Sequence, residues 1–394
     1  MDFSANRTEL LAAVRIAEHI APLNSALESL QCAHLIAENG RLTVAATNLE
    51  VSVEKRIPAD IGEGGDVLVN AKLLTDILRL LGGERVSFSQ KDNHIMRVSS
   101  DKTEYSLSVF DTGMYPHIEI PFPEDTVPVT GIPSMAKRTV FAASEDANEA
   151  NTMRRCVHLT FTSEGLKAAS TDGARIAYAK GNSKCSGAVD FLILASSLEK
   201  LSGLITNKDE LRVGLTGKSV VFMKDDFLFS ARLVEGRYFD TEALLGMVHG
   251  MFTVLTDAKV IRDMFDTVCS VKSGVNRFSM SFNGEKLKMT CESEYGISEV
   301  EQTGVPLMGN PTGTYWFNPK QLEGCLKAHS GTMMLEVAQN GALVLKTDDL
   351  VCVQLPIREP KPIDRTLKKA KPVKPAKEKK ETKKKEKAAI KKAA

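Results

Sequence analysis

The sequence predicts an α+β protein made of three tandem repeats, each a sheet backed by two helices, and three observations carry that expectation. First, a pattern returns every 124 residues: Cys32-Ala33-His34-Leu35 is echoed by Cys156-Val157-His158-Leu159, and Leu74, Leu198 and Leu322 hold one place in a recurring apolar stretch. Second, runs of alternating polarity are interleaved with runs at the 3.6-residue period. Third, the period exceeds the roughly 20 to 50 residues of a solenoid unit and suits a small domain repeated by duplication. The repeats are placed at 1–122, 128–247 and 248–358, followed by a tail at 359–394. With 43% apolar and 26% charged residues, each repeat has enough material for its own core.

In the first repeat, NRTELLAAVRIAEHI carries Leu10, Leu11, Val14, Ile16 and Ala17 at helical spacing. Asn39-Gly40 then sits between two alternating runs as a hairpin turn. A second helix, AKLLTDILRLL, stops at Gly82-Gly83, and strands follow in ERVSFSQ, IMRVSS and YSLSVF. The second repeat runs through PSMAKRTVFAASED (helix), CVHLTFTSEGLKAAS (hairpin), ASSLEKLSGLI (helix) and ELRVGLTGKSVVFMKDDFLFSARLV (strands). DAKVIRDMFDTVCSV, FSMSFNGEKLKMTCES, NPKQLEGCLKAH and MMLEVAQNGALVLKTDDLVCVQLP repeat the order a third time. The proline-rich stretch PHIEIPFPEDTVPVTGIP reads as the linker between the first and second repeats.

The totals of 51 basic and 50 acidic residues conceal two opposite segments. The tail holds 15 Lys or Arg against 5 Asp or Glu, whereas the rest of the chain has 36 against 45. Seven widely spaced cysteines without a CxxC pair suggest neither a zinc site nor a disulfide framework. The start, MDFSANRTELL, has no basic segment followed by an apolar one, and no apolar run approaches a membrane span. The expected location is the cytoplasm.

Four stretches carry a resemblance to the bacterial sliding clamp family, the beta subunit of the DNA polymerase III holoenzyme: TNLEVSV (47–53), STDGARIAYAK (170–180), VEGRYFD (234–240) and CVQLPIR (352–358). They lie in order on the threefold repeat. The resemblance implies a head-to-tail homodimeric ring of six clamp domains, with helices lining a hole for duplex DNA. It implies a processivity factor for the replicative polymerase, without catalysis and without cofactor or metal. A ring holds DNA by topology, so its lining needs only mild, sequence-independent attraction to phosphate. Expected lining cations on the helices are Arg7, Arg15, Lys72 and Arg79, then Lys137, Arg138 and Lys200, then Lys259, Arg262, Lys320 and Lys327. The resemblance also puts Arg154 and Arg155 on a DNA-facing loop, where aromatics are more usual.

Members of the family recruit polymerase, clamp loader and repair proteins through short peptides of roughly Gln-Leu-x-Leu-Phe type, docked between the second and third domains. Matched position by position, that pocket comprises Cys156, Thr171, Gly173, Arg175, Ile176, Phe239, Leu244, Val353, Leu355, Pro356, Ile357 and Arg358. Ala174 and Phe239 stand where histidine and proline are common. Ring closure is expected to bring the edge strand with Tyr105 and Leu107 against the first helix of the third repeat near Val268 and Cys269 of the other subunit.

Catalytic signatures fail on inspection. Gly217-Lys218-Ser219 ends like a phosphate loop, but position 212 is Arg instead of glycine, and Asp172 lacks a local histidine and reads as a turn former. The tail, rich in Lys with scattered prolines, is expected to be disordered and to add non-specific attraction to nucleic acid. The rival reading is an architectural DNA-binding protein that acts through this tail without a closed ring.

Overall fold

The computed structural model describes residues 1–363 except 93, 117–119, 183–186 and 275. Most of the basic tail, and the expectation of disorder for it, therefore lie outside the described residues. One order of elements is used three times. In the first repeat it runs β1 (Asp2–Asn6), α1 (Arg7–Ile20), β2 (Cys32–Glu38), β3 (Arg41–Thr47), β4 (Val51–Glu63), β5 (Gly65–Asn70), α2 (Ala71–Leu80), β6 (Arg85–Asp92), β7 (Ile95–Ser100) and β8 (Thr103–Ser108). The second has β9 (Val127–Val129), α3 (Ile132–Thr139), β10 (Cys156–Thr162), β11 (Gly165–Thr171), β12 (Arg175–Gly181), β13 (Val189–Leu194), α4 (Ala195–Ser202), β14 (Leu211–Thr216), β15 (Ser219–Lys224) and β16 (Phe227–Arg232), and then an added helix, α5 (Thr241–Gly246). The third has β17 (Gly250–Asp257), α6 (Ala258–Val268), β18 (Asn276–Asn283), β19 (Lys286–Ser293), β20 (Gly296–Thr303), an added β21 (Val305–Met308), β22 (Thr312–Phe317), α7 (Pro319–Ala328), β23 (Thr332–Ala338), β24 (Leu343–Lys346) and β25 (Leu350–Gln354).

The opening strands β1, β9 and β17 are not legible as strands in the sequence. β9 is the VPV of the proline-rich linker, three residues that pair with β14 at a sheet edge, where a missing proline N–H costs nothing. Asn39 and Gly40 turn the β2–β3 hairpin with φ of 52° and 72°, the left-handed geometry an Asn-Gly pair supplies. Helix starts are capped in repeat: Asn70 accepts from Leu73 N at 2.9 Å and Asn318, 248 residues on, accepts from Lys320 N at 3.0 Å. The intervening position is Leu194, without a side-chain cap.

The sheets of neighbouring repeats also join across their borders. β4 pairs with β16 in the register Val51↔Ala231 to Lys55↔Phe227, and β12 pairs with β25 from Arg175↔Gln354 to Ala179↔Leu350. Backbone ladders thus sew the first repeat to the second and the second to the third. The remaining sheet runs β20-β19-β18-β22.

Beneath the sheets the helices form one continuous layer in the order α2, α1, α4, α3, α7, α6. Their inner faces, such as Leu10, Ala13, Val14, Ala17 and Ile20 of α1, are buried in the main core. Phe3 and Phe88 stack there at 4.6 Å. Where α1 meets α4, Lys200 Nζ donates to His19 O at 3.3 Å, and His19 Nε2 lies 3.1 Å from Lys200 O. Where α3 meets α7, the ring of Phe141 takes the space a side chain at Gly324 would need: a Cβ there would lie 2.6 Å from it.

Candidate functional site

The junction between β12 and β25 is where the family resemblance expects an apolar peptide cleft. Its near wall begins at the turn Thr171–Ala174. Thr171 Oγ1 donates to Arg175 O at 2.7 Å, and Asp172 Oδ1 accepts from Ala174 N and Arg175 N at 2.8 and 2.9 Å. Asp172 is therefore a turn former. Gly173 has φ of 91°, and a Cβ there would sit 3.2 Å from the guanidinium carbon of Arg154.

Ile176 follows the turn and packs, half-buried, with Ala338, Ala342, Val344 and Val353. Phe239 joins Cys156, Ala169, Tyr178, Leu192 and Tyr238 in a second small cluster. Leu245 of α5 touches both clusters and ties them into one floor, with Val248 beside it. Glu242 holds α5 in place: it takes Lys167 Nζ at 3.0 Å and the Tyr178 hydroxyl, and these bonds keep its carboxyl below the usual range. Around the floor, Leu244, Met247, Leu355 and Ile357 expose their side chains. Exposed aliphatic side chains over a packed apolar floor can take the anchors of an extended peptide.

Several matched residues serve the cleft only from behind. Cys156 is fully buried, its thiol pushed up to about 11 by that burial, and it lies under the floor. Arg175 turns away to its neighbours: Nε pairs with Asp172 at 3.0 Å, Nη1 donates to Gln321 O at 3.0 Å, and the guanidinium sits over Phe141. Arg358 is exposed beyond the cleft wall. Leu245, Val248, Val344 and Gln354 went unread in the sequence. Gln354 is buried and reaches Ala174 O at 3.4 Å. A signal for Leu245 existed in the paired leucines of TEALLG, but no counterpart of α5 stands among the described residues of the other repeats to reveal it.

The helical layer carries eleven basic and seven acidic residues, while the chain before residue 359 has an acidic excess. Arg15, Lys137, Lys259 and Lys320 are exposed on it, and Arg262 is half-buried. Lys72 and Arg79 flank Asp76 at 3.2 Å each, and Lys327 pairs with Glu323 at 2.6 Å. Arg155 lies with Ala195, Ser196 and Glu199 along a groove between α3 and α4.

Four expected lining cations are committed to the fold. Arg7 caps the end of α2 through Leu78 O and Gly83 O at 3.2 and 3.0 Å. Arg138 pairs with Asp349 at 2.7 Å, and Arg154 rests on the Gly173 turn. Lys200 latches α4 to α1, and burial holds its ammonium below the usual lysine range. Of the residues expected at a subunit interface, Tyr105 is half-buried. Leu107, Val268 and Cys269 are buried in the core of their own chain, so their side chains present nothing to a partner.

The pattern of the DNA polymerase III beta subunit N-terminal domain matches residues 1–119, and that of its central domain matches 126–240. The beta sliding clamp of Lactococcus lactis is 24% identical over 341 residues, which is 82% of this chain and 89% of that one. The beta sliding clamp of Mycoplasma capricolum is 22% identical, over 84% of this chain and 90% of that one. Among solved structures, the sliding clamp of Bacillus subtilis superimposes with a TM-score of 0.80 at 20% identity, and the DNA polymerase III beta subunit of Pseudomonas aeruginosa does so with the same values. Each covers 91% of this chain and 100% of its own. No helix of the described residues is long and apolar enough to cross a membrane. On its repeats, its fold and these matches, the chain belongs to the DNA polymerase III beta subunit family, the bacterial sliding clamps.

Proposed function

We propose that two chains close head to tail into a ring around duplex DNA, and that this ring gives a replicative polymerase its processivity while partner proteins dock short peptides in the cleft beside β25. The strand order at the junctions carries the reading. β4 pairs with the last strand of the second repeat, β16, and β12 pairs with the last strand of the third, β25. In the third repeat β20 holds the corresponding place, and it lies at a free sheet edge; so does β8, the last strand of the first repeat. Pairing β20 of one chain with β8 of the next continues the rule and covers both edges. β20 packs over α6, so it offers the surface that buried Val268 and Cys269 cannot, and Tyr295 and Ile297 expose apolar area there.

Inside the ring, the excess of cations on the helices supplies a weak pull on phosphate that does not arrest sliding. The basic tail adds salt-sensitive attraction from outside the described residues. No catalytic step is needed; polymerase, clamp loader and repair proteins act while tethered, in the cytosol. The test is topological. The full chain should have the solution mass of a dimer, remain on nicked circular DNA and run off the same DNA once linearised. Equal retention on both forms would favour an architectural protein binding through its tail. Tyr295→Glu with Ile297→Glu should leave a single chain that neither DNA retains.

A further inference from the structure

The third repeat departs from the other two where β18 begins. Cys32 faces Asn70 and Cys156 faces Leu194, each pair lying just before a helix, and both cysteines are buried. In the third repeat the last registered pair before α7 is Phe278↔Phe317, so the position one step on belongs to Arg277. Its side chain is only 11% exposed although it carries a charge. Nη1 donates to Glu292 Oε2 at 2.7 Å, Nη2 to Glu359 Oε1 at 2.8 Å and Nε to Pro360 O at 2.9 Å. The guanidinium lies 4.8 Å from the centre of the Trp316 ring.

Glu359 and Pro360 are the first residues of the tail, so the fold does not end at Arg358. The stretch between β25 and Pro360 is tied at three points: Leu355 N donates to Ala174 O, Ile357 N donates to Trp316 O, both at 2.8 Å, and Arg277 grips the far end. Two of these ties are made by Leu355 and Ile357 themselves, each 40% exposed on the rim of the cleft. Apolar side chains that are exposed yet fixed bind with less ordering cost than the same side chains on a free chain end.

We propose that Arg277 is a positioning residue for the peptide cleft, and that the opening residues of the tail are part of that site because Arg277 uses them to hold the wall of Leu355, Pro356 and Ile357 in its binding position. The proposal rests on the cleft being a peptide site. The ligand is an extended peptide with two apolar anchors, and the probe is a labelled peptide of Gln-Leu-x-Leu-Phe type.

Its affinity is compared for the full chain, a chain ending at Ile363, a chain ending at Arg358, Arg277→Ala, and Arg277→Ala in the chain ending at Arg358. The chain ending at Ile363 loses most of the cationic tail but keeps Glu359 and Pro360, and should bind like the full chain. The chain ending at Arg358 keeps the Arg277–Glu292 pair and should bind about three- to tenfold more weakly. Arg277→Ala should weaken binding similarly, and the combined variant should be no weaker than either alone, because both break one tie. Unchanged affinity in the chain ending at Arg358, or additive losses in the combined variant, overturns the proposal. A full chain that does not bind the peptide overturns the cleft reading itself.

Discussion

Two turns, 124 residues apart, are built from the same bonds and have different consequences. At the first junction Thr47 Oγ1 donates to Val51 O at 2.9 Å and accepts from Leu49 N, while Asn48 Oδ1 takes Glu50 N and Val51 N. At the second, Thr171, Asp172, Gly173 and Arg175 reproduce each of these bonds. The middle residue is left-handed in both, Leu49 at 74° and Gly173 at 91°. What differs is the chemistry hung on the turn. The first leads into buried Val51, whereas the second replaces it with an arginine that reaches across to α7 and adds α5 as a wall. Duplication supplied a stitched junction twice, and the cleft arose where the second departed from the first.

The comparison can be broken most forcefully at Arg175. Arg175→Ala strands the carboxylate of Asp172, which is 12% exposed, and should cost roughly 3 kcal/mol in denaturant unfolding. Asn48→Ala at the first junction removes an equivalent acceptor without leaving a charge behind, and should cost about 1 kcal/mol. Equal losses would mean that Arg175 adds nothing to the junction beyond the turn.

Next in size is the cleft itself. Leu245→Ala and Leu355→Ala should each weaken a Gln-Leu-x-Leu-Phe peptide about tenfold, since one joins the two halves of the floor and the other stands on the rim. Leu49→Ala, more exposed than either and at the junction without α5, should leave titrations by fluorescence anisotropy unchanged.

How much of this was legible depended on whether a feature repeats. The 124-residue period exposed six helices and most strands, because each recurrence tested the others. Features found once among the described residues, α5 and the grip of Arg277, left no such trace, and the wall after β25 was read only through the family resemblance of CVQLPIR. The opening strands escaped for another reason. VPV is too short for alternation to show, and it pairs with β14, residues from the far end of its own repeat. Cations on helices were readable as a set but not singly, since Arg7 as a helix cap and Lys200 as a latch look in sequence like any exposed basic residue.

The smallest effect expected is an acid sensitivity confined to the third repeat. His329 closes α7 at the place where Leu81 closes α2, and both are buried. Burial holds the His329 imidazole below its ordinary value, although the carbonyls of Cys325 and Leu345 at 2.8 and 3.2 Å oppose the shift. A depressed histidine favours the neutral ring in the fold, while the unfolded chain takes up its proton near the usual value of about 6.5. The stabilisation is therefore complete above that pH and is lost as pH falls through the folded value. Tm should fall between pH 7 and pH 5 in the full chain and fall less in His329→Leu, which installs the residue the first repeat already uses. An identical slope in both would show that β24 and α7 accept the charged ring.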